Sequence, residues 1–355
     1  MLTELTLRSE KSGPLLDHSA SPERVEPLEE FDVEMSLAVT EVHACSEPHT
    51  EAVWGVKWTA TESVVSVSAD GSIRQWSSDN GTPHPADVNK PPPHTLGLIS
   101  LSVSPDGQRV LYNSLEGTTA MMDLSNGEIV GKFESYVRTG EGAEPSWSVS
   151  LNPKGETYAS SGSSGNVTIH SSQPNNFGER LSTLTSGRTK FGMCCSHSPD
   201  GSRVALSSES GQIFIFDLET GSLGATYTSH AMAVRTMSWS WDNGYLLSGS
   251  DDKRLILHDV RAPTKAAGGA AATFTGHSSW VLSSDISPDG RLALSGSADK
   301  TIKVWDIAAR AAVSTISETG EVWSLSWRPK PSEHGKGAGF VSGGEDGVVR
   351  WRRVL

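Results

Sequence analysis

The chain predicts an all-β fold built from seven copies of one short-stranded unit. Three observations carry this: a turn signature that returns at a near-constant period, apolar residues at alternate positions, and no long 3.6-residue periodicity outside the N-terminus. A copy of this size cannot bury its apolar face alone, so the copies must stack, and a closed ring is the arrangement that leaves the fewest sheet edges bare.

The turn signature reads SPDG at Ser104–Gly107, NPKG at Asn152–Gly155, and SPDG at Ser198–Gly201 and Ser287–Gly290. Degenerate versions stand at Ser240–Gly244 (SWDNG) and Ser326–Lys330 (SWRPK). The second positions, 105, 153, 199, 241, 288 and 329, are separated by 48, 46, 42, 47 and 41 residues. A seventh copy lies upstream, from His49 through Asp70 to Trp76, with a shortened turn at Thr59–Glu62. Inside a unit the spacing is that of strands, as Leu292 and Leu294, then Ile302 and Val304, illustrate.

The clearest copy, HSSWVLSSDISPDGRLALSGSADKTIKVWD (His277–Asp306), resembles a WD repeat, and the chain resembles a seven-bladed WD40 β-propeller over about residues 36–355. The resemblance implies a structural tetrad of His277, Ser295, Asp299 and Trp305, in which imidazole, hydroxyl, carboxylate and indole satisfy one another. His49, Ser66, Asp70 and Trp76 match it in the first unit; His230, Ser248 and Asp252 match it in the fifth, with His258 in place of Trp. The second unit keeps His94 but has Glu116 and Met122 at the other places, the third and fourth lack both His and Asp, and the seventh ends in Arg352. These His and Asp residues therefore read as structural rather than catalytic. The resemblance further implies that Ser36–Ala44 (SLAVTEVHA) closes the ring as the outer strand of the last blade. The domain reading is a flexible acidic N-terminal arm over 1–34, rich in Glu and Pro, then one propeller over 35–355.

Composition narrows the function. A net charge of −13 argues against a general grip on nucleic acid, and no apolar run is long enough to span a bilayer. The N-terminus lacks the apolar core of a secretory signal. Cys45, Cys194 and Cys195 form no CxxC pair and read as thiols of a reducing compartment, cytoplasmic or nuclear. The stretches Thr82–Pro93, Ala262–Ala272 and Lys330–Gly339 read as surface loops. There is no HExxH, P-loop, GxSxG or EF-hand pattern, and SSGSSG (Ser160–Gly165) and Ser248–Ser250 recur with the units as strand ends; the Asp251–Asp252 pair falls in an ordinary turn. No enzyme activity, cofactor, metal, membrane or small-molecule substrate is expected.

Function then falls to the end of the ring where the unit-opening His residues lie. Counting from each His or its equivalent, position plus nine holds Trp58, Trp239, Ile286 and Trp327, which read as packing between units. Position plus five holds Trp54, Ile99, Trp147, Met193, Arg235, Leu282 and Trp323, and plus three holds Phe191 and Trp280. In propellers that this chain resembles, these two positions open around the central channel. Trp, Phe, Met and Arg are residues that interfaces favour, so Trp54, Trp147, Phe191, Met193, Arg235, Trp280 and Trp323 form a candidate protein-binding set. Arg235 is expected to meet a partner's carboxylate or carbonyl. The competing reading lets the indoles plug the channel.

A narrower resemblance rests on HAMAVRTMSWSWDNGYLLSGSDDKRLILHDV (His230–Val260), the following HSSWVLSSDISPDG, and HTEAVWGVKW (His49–Trp58). These are similar to repeats of the WD-repeat subunits of the superkiller complex. That resemblance implies a scaffold subunit bound to a helical-repeat protein and an RNA helicase, serving exosome-linked 3′–5′ mRNA decay, with links to transcription elongation and meiotic recombination. Two rivals stand beside it. One is a substrate receptor of a cullin-type ubiquitin ligase, since His258–Arg261 (HDVR) approximates a WDxR pattern without its Trp; the other is a divergent propeller enzyme.

Overall fold

The computed structural model describes residues 36–85, 93–135, 146–261, 269–329 and 338–355. The acidic arm lies outside them, as do 86–92, 262–268 and 330–337 within the three stretches expected to be loops.

The described residues form seven antiparallel sheets, each a blade. In the sixth, Val281–Ile286 is innermost, followed outward by Leu292–Ser297, Thr301–Asp306 and Ala311–Ser317. The first blade has three strands, Val53–Trp58, Ser63–Ser68 and Ile73–Ser77; its outer edge is reduced to a single bridge between Trp76 and Pro83. Proline offers no N–H to continue a ladder there. The last blade is assembled from both ends of the fold: Val322–Trp327, Gly339–Gly344 and Arg350–Val354 are completed by Val39–Ala44, with Val39 opposite Val354 and Ala44 opposite Arg350.

Two expected loops are partly strand. Ala270–Ala272 begins the outer strand Ala270–Thr275 of blade 5, and Gly339 opens Gly339–Gly344. Ala and Gly are poor strand formers by propensity, but ladder pairing to a formed neighbour overrides it. Of the degenerate turn Ser326–Lys330, Ser326 and Trp327 belong to the strand Val322–Trp327.

Inner strands of successive blades pack in cyclic order, blade 7 against blade 1 included. At five of the seven junctions, N–H groups of the inner strand's edge are capped by side chains of the preceding blade. Ser100 and Ser102 accept from the N–H groups of Val149 and Leu151 at 3.0 Å, Ser148 and Ser150 from Cys195 and His197, and Thr236 and Ser238 from Ser284 and Ile286. Ser324 accepts from Val56 at 2.9 Å across the closing junction, and Asp285 from Trp327 at 2.8 Å. An S-x-S run on an inner strand thus satisfies edge donors that would otherwise be orphaned. Close approach needs glycine on the facing strand: a Cβ at Gly343 would lie 2.6 Å from Val53 Cγ1, and one at Gly296 2.5 Å from Val322 Cγ1. Among the described residues no helix is long and apolar enough to cross a membrane, and no group of metal-ligating side chains is present. Cys45 and Cys195 are buried and Cys194 half-buried, all as free thiols.

Candidate partner-docking face

The loops at one end of the ring are fixed by the tetrads. In blade 6, His277 Nε2 bonds Ser295 Oγ at 2.7 Å, His277 Nδ1 bonds Asp299 at 2.8 Å, and the indole N–H of Trp305 donates to Ser295 at 2.7 Å. Blade 1 repeats this with His49, Ser66, Asp70 and Trp76. Burial alone would raise the Asp70 carboxyl; hydrogen bonds from Ser72 and the facing His49 outweigh it and hold the group at about 2. In blade 5, His258 donates or accepts to Ser248 at 2.9 Å in place of the indole, and burial pushes it down to about 3. Sequence reasoning missed the matching exchange in blade 3, where His170 bonds Ser160 at 3.0 Å and stacks on Tyr158. Its signal was available: His170 lies ten residues after Ser160, the Ser-to-Trp spacing of blades 1 and 6.

Blade 7 carries a charged version of the same framework. Its four positions are Glu318, Ser342, Asp346 and Arg352. Arg352 is buried, pairs with Glu318, donates to Ser342 at 2.5 Å and reaches Glu41 of the closing strand at 3.4 Å. Arg350 holds Asp346 at 2.7 Å and lies 3.7 Å from Glu41. Side chains thereby tie Val39–Ala44 to the blade it completes, beyond the backbone ladder.

Inside the collar made by these loops opens a central channel of about 640 Å³, and all seven plus-five residues line it. Trp54 and Trp323 lie side by side with ring centres 6.3 Å apart, and Trp147 meets Phe191 edge to face at 5.7 Å. These four rings and Met193 are half-buried, neither free in solvent nor sunk as a plug. Leu282 is buried. Trp280 is 45% exposed, with Arg235 over its ring at 4.9 Å. Here one expectation is corrected. Arg235 does not present an unengaged guanidinium, because Asp251 of its own blade binds it through Nε at 2.6 Å and Nη2 at 2.9 Å. Asp251 and Asp252 therefore divide the work of their turn, Asp252 bonding His230 at 2.9 Å.

The profile of the WD domain, G-beta repeat, matches residues 41–77, 221–259 and 268–306, the segments of blades 1, 5 and 6 whose His–Ser–Asp bonds are intact. The chain is 34% identical over 290 residues to meiotic recombination protein rec14 of Schizosaccharomyces pombe, covering 81% of this chain and 89% of that one. The chain belongs to the WD-repeat family. It is also 27% identical to WD repeat-containing protein SL1-17 of Schistosoma mansoni, over 61% of this chain and 69% of that protein. WD repeat-containing protein VIP3 of Arabidopsis thaliana is 31% identical over 54% of this chain and 61% of its own length.

As a WD-repeat protein of scaffold type, the chain exposes further apolar residues on the same end that the plus-three and plus-five register does not reach. Leu96 is 50% exposed and Met232 47% exposed, each two residues after its unit's His. At the opposite end Trp241, 55% exposed, stands where the turns of blades 2, 3, 4, 6 and 7 carry Pro. The plus-nine residues Trp239, Ile286 and Trp327 are buried, and Trp58 is half-buried beneath Arg328.

Proposed function

We propose that this WD-repeat protein is a non-catalytic adaptor that docks short segments of other proteins on the aromatic end of its ring. It would act as the counterpart of the WD-repeat subunit of a superkiller-like complex, held by a helical-repeat scaffold and an RNA helicase and working in exosome-linked 3′–5′ mRNA decay, without contacting RNA itself. Cytoplasmic and nuclear residence follows from that reading. The name of the S. pombe relative supports a role in meiotic recombination as well, and transcription elongation belongs to the same proposal. One observation carries the docking reading. Two aromatic pairs, Trp54–Trp323 and Trp147–Phe191, stand half-open at a channel mouth whose surrounding loops are held rigid by internal hydrogen bonds. Rigid, partly dry aromatic anchors are the residues that carry binding energy, about 2 kcal/mol or more each at a hot spot. The ligase-receptor reading loses ground because Arg261 is held by Asp259 at 2.9 Å and lies over Tyr245 at 4.5 Å.

Replacing Trp54, Trp147 and Trp323 by Gln is expected to abolish co-purification of a helicase and a helical-repeat protein while leaving the melting transition nearly unchanged. A collapse of stability would make them core residues. Recovery of a ligase adaptor in place of the helicase would favour the rival.

A further inference from the structure

Blade 4 is the blade in which the tetrad has dissolved, and its positions explain what replaced it. The His place, four residues before the end of the loop at Gly192, is Arg188. Leu206 pairs opposite Cys195 as Ser295 does opposite Ser284, and Phe216 pairs opposite Val204 as Trp305 does opposite Ala293. Ser210 takes the Asp place. Buried Leu206 and Phe216 offer a guanidinium no acceptor, so Arg188 turns outward, and among the described residues its side chain has no ion pair. What remains is a groove of about 530 Å³ between Gly187–Lys190 and Ser210, Gln212 and His230.

The charges around it are unevenly spent. Asp70, Asp252 and Asp299 face their histidines, Asp251 binds Arg235, and Glu318 and Asp346 bind Arg352 and Arg350. Among the described residues Lys190 pairs with Glu209 alone, at 3.8 Å with both side chains about half exposed, a pair that solvent screening leaves with little strength. Against a chain of net charge −13, Arg188 and Lys190 are thus a local cationic spot left for a partner. Carboxylates of the same end without an ion pair among the described residues, Glu47, Glu51, Glu321 and Glu345, stand at blades 1 and 7, across the ring. Phe191, the residue after Lys190, rests on Trp147.

We infer that this groove seats acidic side chains of a partner's docking segment, whose neighbouring apolar side chain rests on Trp147 and Phe191. The inference deepens the docking reading and depends on it. Charge complementarity is the argument for an acidic occupant: the groove carries Arg188 and Lys190, and Lys190 is followed in the chain by Phe191 of the aromatic pair.

The test is selection of a randomised phage-displayed peptide library on the intact protein, on the Arg188→Glu/Lys190→Glu variant and on Trp147→Gln. Peptides enriched on the parent are expected to combine Asp or Glu with an aromatic or aliphatic residue. On the charge-reversed variant, acid-bearing peptides should bind about tenfold less tightly while apolar enrichment persists. On Trp147→Gln the apolar requirement should be lost. Neutral or basic enriched peptides, or acidic enrichment that survives charge reversal, would overturn the groove assignment and leave the docking reading standing. No enrichment, or no dependence on Trp147, would overturn the docking reading as well.

Discussion

His258 shows how a single exchange inside a tetrad changes the chemistry of a blade. It keeps the bond to Ser248 that an indole makes in blades 1 and 6, at 2.9 Å, yet it is titratable where the indole is not. Its ring packs on Tyr227 at 4.8 Å, and burial lowers its pKa from 6.5 to about 3. Below pH 6.5 an unfolded His binds a proton that the folded one refuses, so this residue's contribution is complete above that pH and declines as the solution is acidified toward about 3. His170, lowered to about 4 by burial, adds the same sign. His258→Phe is expected to cost about 1 kcal/mol at neutral pH through the lost bond to Ser248 and to make the fall of melting temperature between neutral pH and about pH 4 shallower. Thermal melts across that range check both. An equal slope in parent and variant would remove His258 from the linkage. At this scale the tetrads of blades 1, 5 and 6 were legible because His, Ser and Asp recur at near-fixed spacing, with Trp completing the set in blades 1 and 6. The neutralisation of Arg235 by Asp251 was not, since the two are 16 residues apart and sequence does not reveal that their side chains meet.

Strands were legible wherever apolar alternation and a turn coincided, as in Leu292–Ser297. They were hidden where composition opposed them: Ala270–Thr275 and Gly339–Gly344 start in Ala- and Gly-rich sequence and exist through their partners. The serine hydroxyls between blades also escaped notice, because S-x-S on a strand looks like ordinary polar alternation until a neighbouring edge is placed beside it. Val39–Ala44 was legible as the closing strand, but its ionic attachment was not. Glu318 and Arg352 stand where His and Trp are usual, and Ser342 and Asp346 already fill the other two places. Glu318→Ala alone is expected to cost about 3 kcal/mol, because it leaves buried Arg352 with only the longer contact to Glu41 at 3.4 Å among the described carboxylates. The double variant Glu318→His/Arg352→Trp should regain most of that loss by rebuilding the network of blade 6. Urea denaturation of Glu318→His, Arg352→Trp and their double variant measures the coupling, and additive losses would argue against a shared framework.

The whole ring depends on one seam. Removal of residues through 46 deletes the strand that pairs with Arg350–Val354 and the Glu41 contacts to Arg350 and Arg352, exposing one edge in blade 7. The truncated protein is expected to melt at lower temperature and to aggregate on concentration, read by scanning calorimetry and light scattering. A product that melts with the parent would show that the seam does not hold the ring. Ring order and blade number were legible from the period of the turns. The cationic groove of blade 4 was not, because its meaning lies in what a degenerate repeat fails to bond.

That seam also sets a timetable for biosynthesis. Glu41 and the Arg352 it reaches are 311 positions apart, so the early strand must wait through synthesis of nearly every blade before its mate exists. Throughout translation the nascent chain therefore carries a strand segment without its mate, and closure of the ring is the last step that synthesis permits.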